Sequence, residues 1–443
     1  MTDAREIALD ILLAAEKGEA HIHELLDMAL KKYAYLSKAD RSLISALVHG
    51  STERRMSIDY VIDTYSKVKH QKLKPLIRAL LRLSIYQILY LDRVPDSAVC
   101  NEAVKLAAKR GFFGLKPFVN GLLRNIARNK ESISYPGPSL QYSVPEWIYD
   151  LFARNYSEEE AVRILEMFLQ KSDLSIRVNS SRISVEEVKR RLKESGVSAK
   201  ASSLLPELLY IEGFESIDRL APIREGLAYI QEAGSALAIR LAGIGRGDTV
   251  IDVCASPGGK SIHAADLLEG SGSVLAFDIS EKKLEKLCSN IERSGFSNIR
   301  AALADARLYR KELKERADLL IADLPCSGLG IIGRKPDIKY NMSPETCIQL
   351  SLLQREILNN VCRYVKIGGK LLFSTCTINP EENEKNVKAF LAEHEEFKAV
   401  DFWSKLPQGL KKESAKEGFI QLLPGDDAGF CSGGFFISLF ERV

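Results

Sequence analysis

Residues 249–268 read TVIDVCASPGGKSIHAADLL: a short apolar run, a tight Gly/Pro turn, and then a helix-period stretch. A strand that turns directly into a helix opens a parallel βαβ unit. Gly258 and Gly259 let the backbone approach a ligand closely, and the helix amine end beyond them suits an electron-rich group. Gly259-Lys260-Ser261 mimics the end of a phosphate-binding loop, but the glycine needed five residues before Gly259 is Cys254. GxGxxG is also missing, so a dinucleotide site is weakly supported. Downstream, SVLAFD, IRAALA, DLLIAD, KLLFST, FKAVDF and GFFISLFE follow as strand candidates, mostly separated by helical stretches. This alternation predicts a doubly wound, mostly parallel, seven-stranded Rossmann-like sheet over residues 234–443.

Carboxylates end the successive strands: Asp252, Asp278, Asp305 and Asp323. Ligands of open α/β sheets bind beyond the carboxyl ends of the strands, where an acid after the second strand can accept from both ribose hydroxyls. A carboxylate after the third can take an adenine amino group. One such acid alone reads as a turn or helix cap. Four in series point to a ribose, an adenine and an amino-acid head without phosphates, which describes S-adenosylmethionine.

Two cysteines fall at the same end. Cys326 in DLPCSGLG follows the fourth strand, and Cys376 in KLLFSTCTINPEENEKNV (370–387) follows the fifth, so both thiols should face one cleft. Asn379 reads as a helix N-cap, Pro380 as the first helical residue, and Glu381 and Glu382 as its first turn. That helix terminus would favour a thiolate at Cys376, while the two glutamates oppose it. A thiolate beside a methyl donor fits pyrimidine chemistry. Addition at carbon 6 makes carbon 5 enamine-like and able to attack a sulfonium methyl; the carbon 5 proton then leaves and the thiolate is eliminated. Cys326 is the candidate for assisting those last steps. Asp323 could hydrogen-bond the base edge near nitrogen 3 or touch the cofactor. Cys100, Cys288, Cys347, Cys362 and Cys431 read as small core residues, and Cys254 as a packing or backbone contact in the loop. Zinc held by Cys254, Cys326 and Cys376 is conceivable, but no histidine has ligand-like spacing to them, so no metal is expected.

The rest of the 443-residue chain divides by pattern. Residues 1–128 repeat apolar positions at three and four, as in AREIALDILLAAE and PLIRALLRLSIYQILYL, which predicts an all-α domain. A proline-rich linker covers 129–147. Residues 148–233 read as a small α/β domain, with helices EEEAVRILEMFLQ and SVEEVKRRLKES and strands LSIRVN and LLYIEG. Net charge is only +3, but residues 1–128 carry 21 Lys/Arg against 14 Asp/Glu, and the remainder 41 against 45. Positive charge gathered on one module is the footprint of a phosphate-backbone partner or of a solvated helical surface. The eight cysteines form no CxxC pair, the first residues lack a secretory n-region, and no 18-residue apolar run occurs. A cytoplasmic protein with no membrane contact is expected, and a monomer.

DVCASPGGKS, DLPCSGLG and STCTINPEENE resemble the two-cysteine RNA cytosine-5 methyltransferases, the NOL1/NOP2/Sun family. The resemblance implies a class I methyltransferase domain with Cys376 as nucleophile and Cys326 aiding product release. It carries the cofactor contacts onto Cys254, Ala255, Ser256, Pro257, Gly258, Gly259, Lys260, Asp278, Asp305 and Asp323. LRLSIYQILYLDRVPDSAVCNEAVKLAAK and FVNGLLRNIAR are similar to the NusB type of RNA-binding domain. Together they resemble the family's bacterial branch acting on 16S ribosomal RNA, which implies cytosine 967 as the target. Another RNA such as tRNA, or a non-catalytic rRNA-binding assembly role, are the alternatives. Two departures stand out: AYIQEAGSAL, where the family more often has QD-x-S, and LPGDDAGFCSGGFF.

Overall fold

The computed structural model describes residues 3–170, 174–426 and 433–443, and within these the chain forms two compact units. The first contains residues 1–169 together with 332–341. Its helices, from Ala4–Glu16 to Lys116–Asn129, bury a shared core that includes Ile44, Leu47, Ile58, Ile77, Leu80 and Leu123. The helix Glu158–Leu169, grouped by sequence with the small α/β domain, belongs to this unit. So does the segment Ile332–Asn341, although it lies between two strands of the sheet in the chain. Lys339, fully buried, donates to the Glu53 carbonyl at 2.7 Å, and Tyr340 donates its hydroxyl to the Thr52 carbonyl at 2.9 Å. A Cβ at Gly333 would lie 2.7 Å from the Phe168 carbonyl oxygen, so the segment runs against that helix end as bare backbone.

The second unit contains residues 170–331 and 342–443. Its first strands are β1 Leu174–Val178, β2 Ser198–Ala201, β3 Leu208–Glu212 and β4 Ala228–Ile230, in an antiparallel sheet of order β2-β3-β1-β4. Sequence patterning found β1 and β3 and missed β2 and β4. Ser198–Ala201 is mostly exposed with no apolar alternation, and Ala228–Ile230 is only three residues long.

The larger sheet holds β5 Thr249–Asp252, β6 Ser273–Asp278, β7 Ile299–Leu303, β8 Ala317–Asp323, β9 Val365–Thr375, β10 Phe397–Ala399, β11 Phe419–Leu422 and β12 Phe435–Arg442. Seven strands run in the order β10-β12-β9-β8-β5-β6-β7, and β11 adds an eighth beside β12. Strands β5 to β9 pair in parallel, while β10 and β11 pair antiparallel to β12, itself antiparallel to β9. The central strands read as continuous apolar runs because both faces are covered. Val250, Leu319, Ile321 and Leu372 enter one core, and Ile251, Leu320, Ala322, Leu371 and Phe373 the other. Strand order reverses between β8 and β5, which opens a crevice at their carboxyl ends.

The small sheet is locked to the larger one through backbone. Gly226 has φ +65°, and a Cβ there would fall 1.8 Å from the Arg293 carbonyl oxygen; its own carbonyl accepts from Asn179 Nδ2 at 2.7 Å. Gly196 has a similar φ of +73° but open space around it. Gly226→Ala should therefore cost about 1–3 kcal/mol beyond Gly196→Ala, the usual penalty of overpacking. Equal losses in Tm for the two variants would show that this backbone contact yields freely.

Candidate functional site

Asp252, Asp278 and Asp323 end three parallel strands, in register with Ile321, Leu303 and Ser374 respectively. Asp305 follows β7 by two residues. A cavity of about 400 Å³ opens among Cys254, Ser256, Asp278, Asp305, Asp323 and Pro325, with Leu353 and Ile357 as apolar wall. A second of about 190 Å³ lies among Tyr229, Gln231, Cys254, Pro257, Lys260 and Asp323, and is also lined by Ala255, Ser256 and Gly259. Cys254, Ser256 and Asp323 line both. All the loop residues expected to hold the cofactor thus line a cavity except Gly258, whose φ of +111° makes the turn into the helix Gly259–Leu267.

Each acid has a distinct state. Asp278 is only 3% exposed, yet its carboxylate accepts from Ser256 N at 3.1 Å and Ile279 N at 2.9 Å, which ties the loop after β5 to the end of β6. Arg307 grips Asp305 through backbone and guanidinium and holds its carboxyl below the usual range. Burial pushes Asp252 up to about 7, against the Ser261 hydroxyl that donates to it at 2.6 Å. Asp323 pairs with Lys260 Nζ at 2.7 Å and accepts from Ser374 Oγ at 2.7 Å. Burial, with Asp252, Asp278 and Asp323 nearby, keeps the Cys254 thiol well above the ordinary range.

The donor set tests which ligand fits. Carboxylates outnumber the cations lining the larger cavity, Lys283 and Arg307, and Arg307 is spent on Asp305. Such a lining repels a polyphosphate and suits ribose hydroxyls, an amine and a sulfonium cation. S-adenosylmethionine fits these residues.

Cys326 and Cys376 meet, with Sγ atoms 3.4 Å apart. The sulfur of Cys376, burial and the Glu382 carboxylate hold the Cys326 thiol well above the ordinary range. Two interlocks set this distance. Gly330 N donates to the Cys376 carbonyl at 3.1 Å, and a Cβ on Gly330 would sit 2.7 Å from that oxygen and 2.4 Å from the Gly434 carbonyl. Glu382, 0% exposed, accepts from Ser327 N at 2.7 Å, Ser327 Oγ at 2.5 Å, Asn379 Nδ2 at 3.0 Å and Gln354 Nε2 at 3.4 Å.

These bonds alter the expected capping. The helix after Cys376 starts at Glu384, with Asn383 before it, and Pro380–Asn383 form a turn instead of its first residues. Glu382 and Asn383 are drawn inward to Ser327, Thr375 and the Thr377 carbonyl, which a helix from Pro380 would not allow. Asn379 accepts from Glu381 N at 3.2 Å and so caps that turn. Other expectations shift too. Cys100, Cys347 and Cys362 are buried, whereas Cys288 is exposed beside the buried Leu287 on an amphipathic helix. Cys431 lies outside the described residues. Among the described residues, the ligand atoms that gather within 4.8 Å are those of Cys362, His394 and Glu396.

The first departure has a local cause. Glu232 Oε2 accepts from Gly234 N at 2.8 Å and Ser235 N at 3.3 Å, capping the helix Ala233–Ala242 as a shorter acid would. A Cβ at Gly234 would fall 2.7 Å from Phe435 Cβ. Of LPGDDAGFCSGGFF (423–436), residues 427–432 lie outside the described residues. Sequence reasoning missed Glu382 because a charged residue in an acid-rich stretch reads as solvated. Its distinguishing signal is the company of Thr377, Asn379 and Asn383, polar side chains short enough to be buried. Removing Glu382 leaves buried donors unmet and a void, so Glu382→Ala should cost about 2–5 kcal/mol in urea unfolding. A loss below about 1 kcal/mol would mean that water replaces the carboxylate freely.

Residues 241–441 match the family model described as 16S rRNA methyltransferase RsmB/F, residues 2–128 the NusB family, and residues 144–218 the RsmF/B-like ferredoxin-like domain. The chain is 34% identical over its whole length to the probable ribosomal RNA small subunit methyltransferase B of Bacillus subtilis, covering 99% of that protein. It is equally similar, 34%, to the protein of the same name from Synechocystis, with both chains fully covered. Among solved structures, PH0851 superposes with a TM-score of 0.83 at 28% identity, over 100% of this chain and 99% of that one. NSun6 from Pyrococcus horikoshii shares the fold, with a TM-score of 0.60 at 23% identity over 68% of this chain and 98% of its own. The chain belongs to the RsmB/F family of 16S rRNA methyltransferases, enzymes whose methyl donor is S-adenosylmethionine.

Proposed function

We propose that this enzyme methylates carbon 5 of a cytosine in 16S ribosomal RNA, cytosine 967 by resemblance, through a covalent Cys376–carbon 6 adduct. The observation that carries the reading is the 3.4 Å contact between the Cys326 and Cys376 sulfurs beside the acid-lined cavity. Cys376 gives its proton to solvent water and its sulfur bonds to carbon 6, which pushes electron density onto carbon 5. Asp278, Asp305 and the Cys254–Lys260 loop would hold S-adenosylmethionine, whose sulfonium would supply the electrophilic methyl to carbon 5 and leave as the neutral thioether. Cys326 starts protonated because its partner sulfur, burial and Glu382 disfavour its thiolate. Once the Cys376 sulfur is bonded to carbon, its charge no longer opposes ionisation of Cys326. Cys326 then gives its proton to solvent water and, as the thiolate, takes the carbon 5 proton as the S–C6 bond breaks and returns the Cys376 thiolate. Asp323, between Lys260 and Ser374, orients the base edge or the cofactor amine from the same cleft.

Incubation with labelled S-adenosylmethionine should place 5-methylcytidine in 16S rRNA; labelled tRNA with unlabelled 16S rRNA would favour the tRNA reading. Cys376→Ala should abolish methyl transfer and form no adduct. Cys326→Ala should accumulate a denaturant-resistant protein–RNA complex that depends on Cys376. Adducts in Cys376→Ala but not in Cys326→Ala would mean the roles are reversed.

The cofactor assignment has its own check. Asp278→Ala removes the ribose acceptor and frees the Ser256 and Ile279 amides, each unmet hydrogen bond costing about 1–3 kcal/mol. Calorimetry should show at least about tenfold weaker S-adenosylmethionine binding, in the absence of magnesium. Unchanged affinity would remove Asp278 from the site.

A further inference from the structure

The helical unit holds a cavity of about 320 Å³ that the proposed reaction does not use. Leu12, Ala15, Ile22 and Ala79 form its apolar wall, and Tyr340 and Asp337 come from the inserted segment. Most of its charges are matched. Arg82 makes a two-pronged pair with Asp59, 2.7 Å at each prong, and also bonds Glu16, which Arg78 holds at 3.0 Å. Asp337 faces His21 Nδ1 at 3.1 Å.

Two groups are not matched. Arg55 stacks on the Tyr340 ring, its guanidinium carbon 4.8 Å from the centroid, but makes no hydrogen bond among the described residues. Ser51 is 2% exposed, lines the same cavity, and its hydroxyl has no partner. Its neighbour Thr52 makes the bond usual for a helical hydroxyl, to the Val48 carbonyl at 2.8 Å. A half-buried guanidinium and a buried hydroxyl, both unmet and lining one cavity, leave a strong set of donors without an acceptor. Burial and the neighbouring Arg82 disfavour the charge on Arg55, a cost that a bound anion would offset.

We propose that this cavity binds a phosphate-class oxyanion, held by the Arg55 guanidinium and the Ser51 hydroxyl. Arg55 presents the planar fork that matches phosphate oxygens, and Tyr340 fixes its plane. The same chemistry is available from an RNA backbone phosphate or from a free phosphate-bearing metabolite.

The test uses the full chain, with inorganic phosphate, a nucleoside 5′-monophosphate and a short RNA as probes against chloride at matched ionic strength. Phosphate should raise Tm saturably in the wild type. Arg55→Gln should weaken phosphate binding at least tenfold, and Ser51→Ala, which only removes one oxygen from a helix, several-fold. If the anion is an RNA phosphate, Arg55→Gln also lowers the slope of log affinity against log salt by about one. If it is a free metabolite, that slope stays and the monophosphate binds more tightly than phosphate itself. No phosphate response in the wild type, or an equal response in Arg55→Gln, overturns the proposal. So does wild-type phosphate affinity in Ser51→Ala, should Arg55→Gln fail to fold.

Discussion

A single buried carboxylate holds the reactive end of the sheet in place. Glu382 comes from the turn after β9, Ser327 from the loop after β8, and Gln354 from the helix Pro344–Val361. Parallel strands fix where their carboxyl ends lie, but not how the loops beyond them are arranged. Burying a carboxylate is unfavourable unless its oxygens are fully used, and here they collect donors from three elements. That requirement makes the arrangement hard to satisfy in any other way. The close backbone contact of Gly330 with the Cys376 and Gly434 carbonyls adds a steric constraint to the electrostatic one. Together they bring sulfurs 50 residues apart in the chain to 3.4 Å.

The acids of the cleft show how one residue type serves several purposes. Burial pushes Asp252 up to about 7 and Ser261 braces it, so it shapes the loop. Asp278 splits its capacity between two backbone amides and the cavity it faces. Asp305 is held by Arg307. Asp323 lines both cavities and is charge-matched by Lys260. The lining keeps a cation-tolerant, phosphate-averse character without concentrating unopposed charge at one point.

Much of this was legible because it depends on local chain pattern. Strand-turn-helix alternation gave the parallel sheet, and acids at successive strand ends gave the cleft and its ligand class. Both cysteines follow adjacent strands, so the topology alone brings them near one another. What escaped depends on contacts distant in sequence. Nothing in GRKPDIKYN shows that Lys339 and Tyr340 bond carbonyls of Glu53 and Thr52 in the helical unit. The capping pattern at Asn379 was locally sound, and lost to tertiary bonds that turn Glu382 and Asn383 inward. The exposed β2 and the three-residue β4 carry too little apolar pattern to read at all.

The thiol pair also bears on the order of events in the proposed reaction. Two thiolates 3.4 Å apart would repel by roughly 5 kcal/mol even at an effective dielectric of 20. That is worth several pKa units, so the pair cannot carry two negative charges at ordinary pH. The first ionisation belongs to whichever sulfur attacks, and the other must stay protonated while it does. Bond formation to carbon 6 then removes the attacking sulfur's charge and, with it, the main obstacle to ionising the second. A base is thereby released only after the adduct exists, when carbon 5 has a proton to give up. Burial and Glu382 continue to disfavour a free thiolate at Cys326, which makes it a strong acceptor for that proton when its turn comes. In the proposed reaction the short sulfur–sulfur distance would thus couple attack to release.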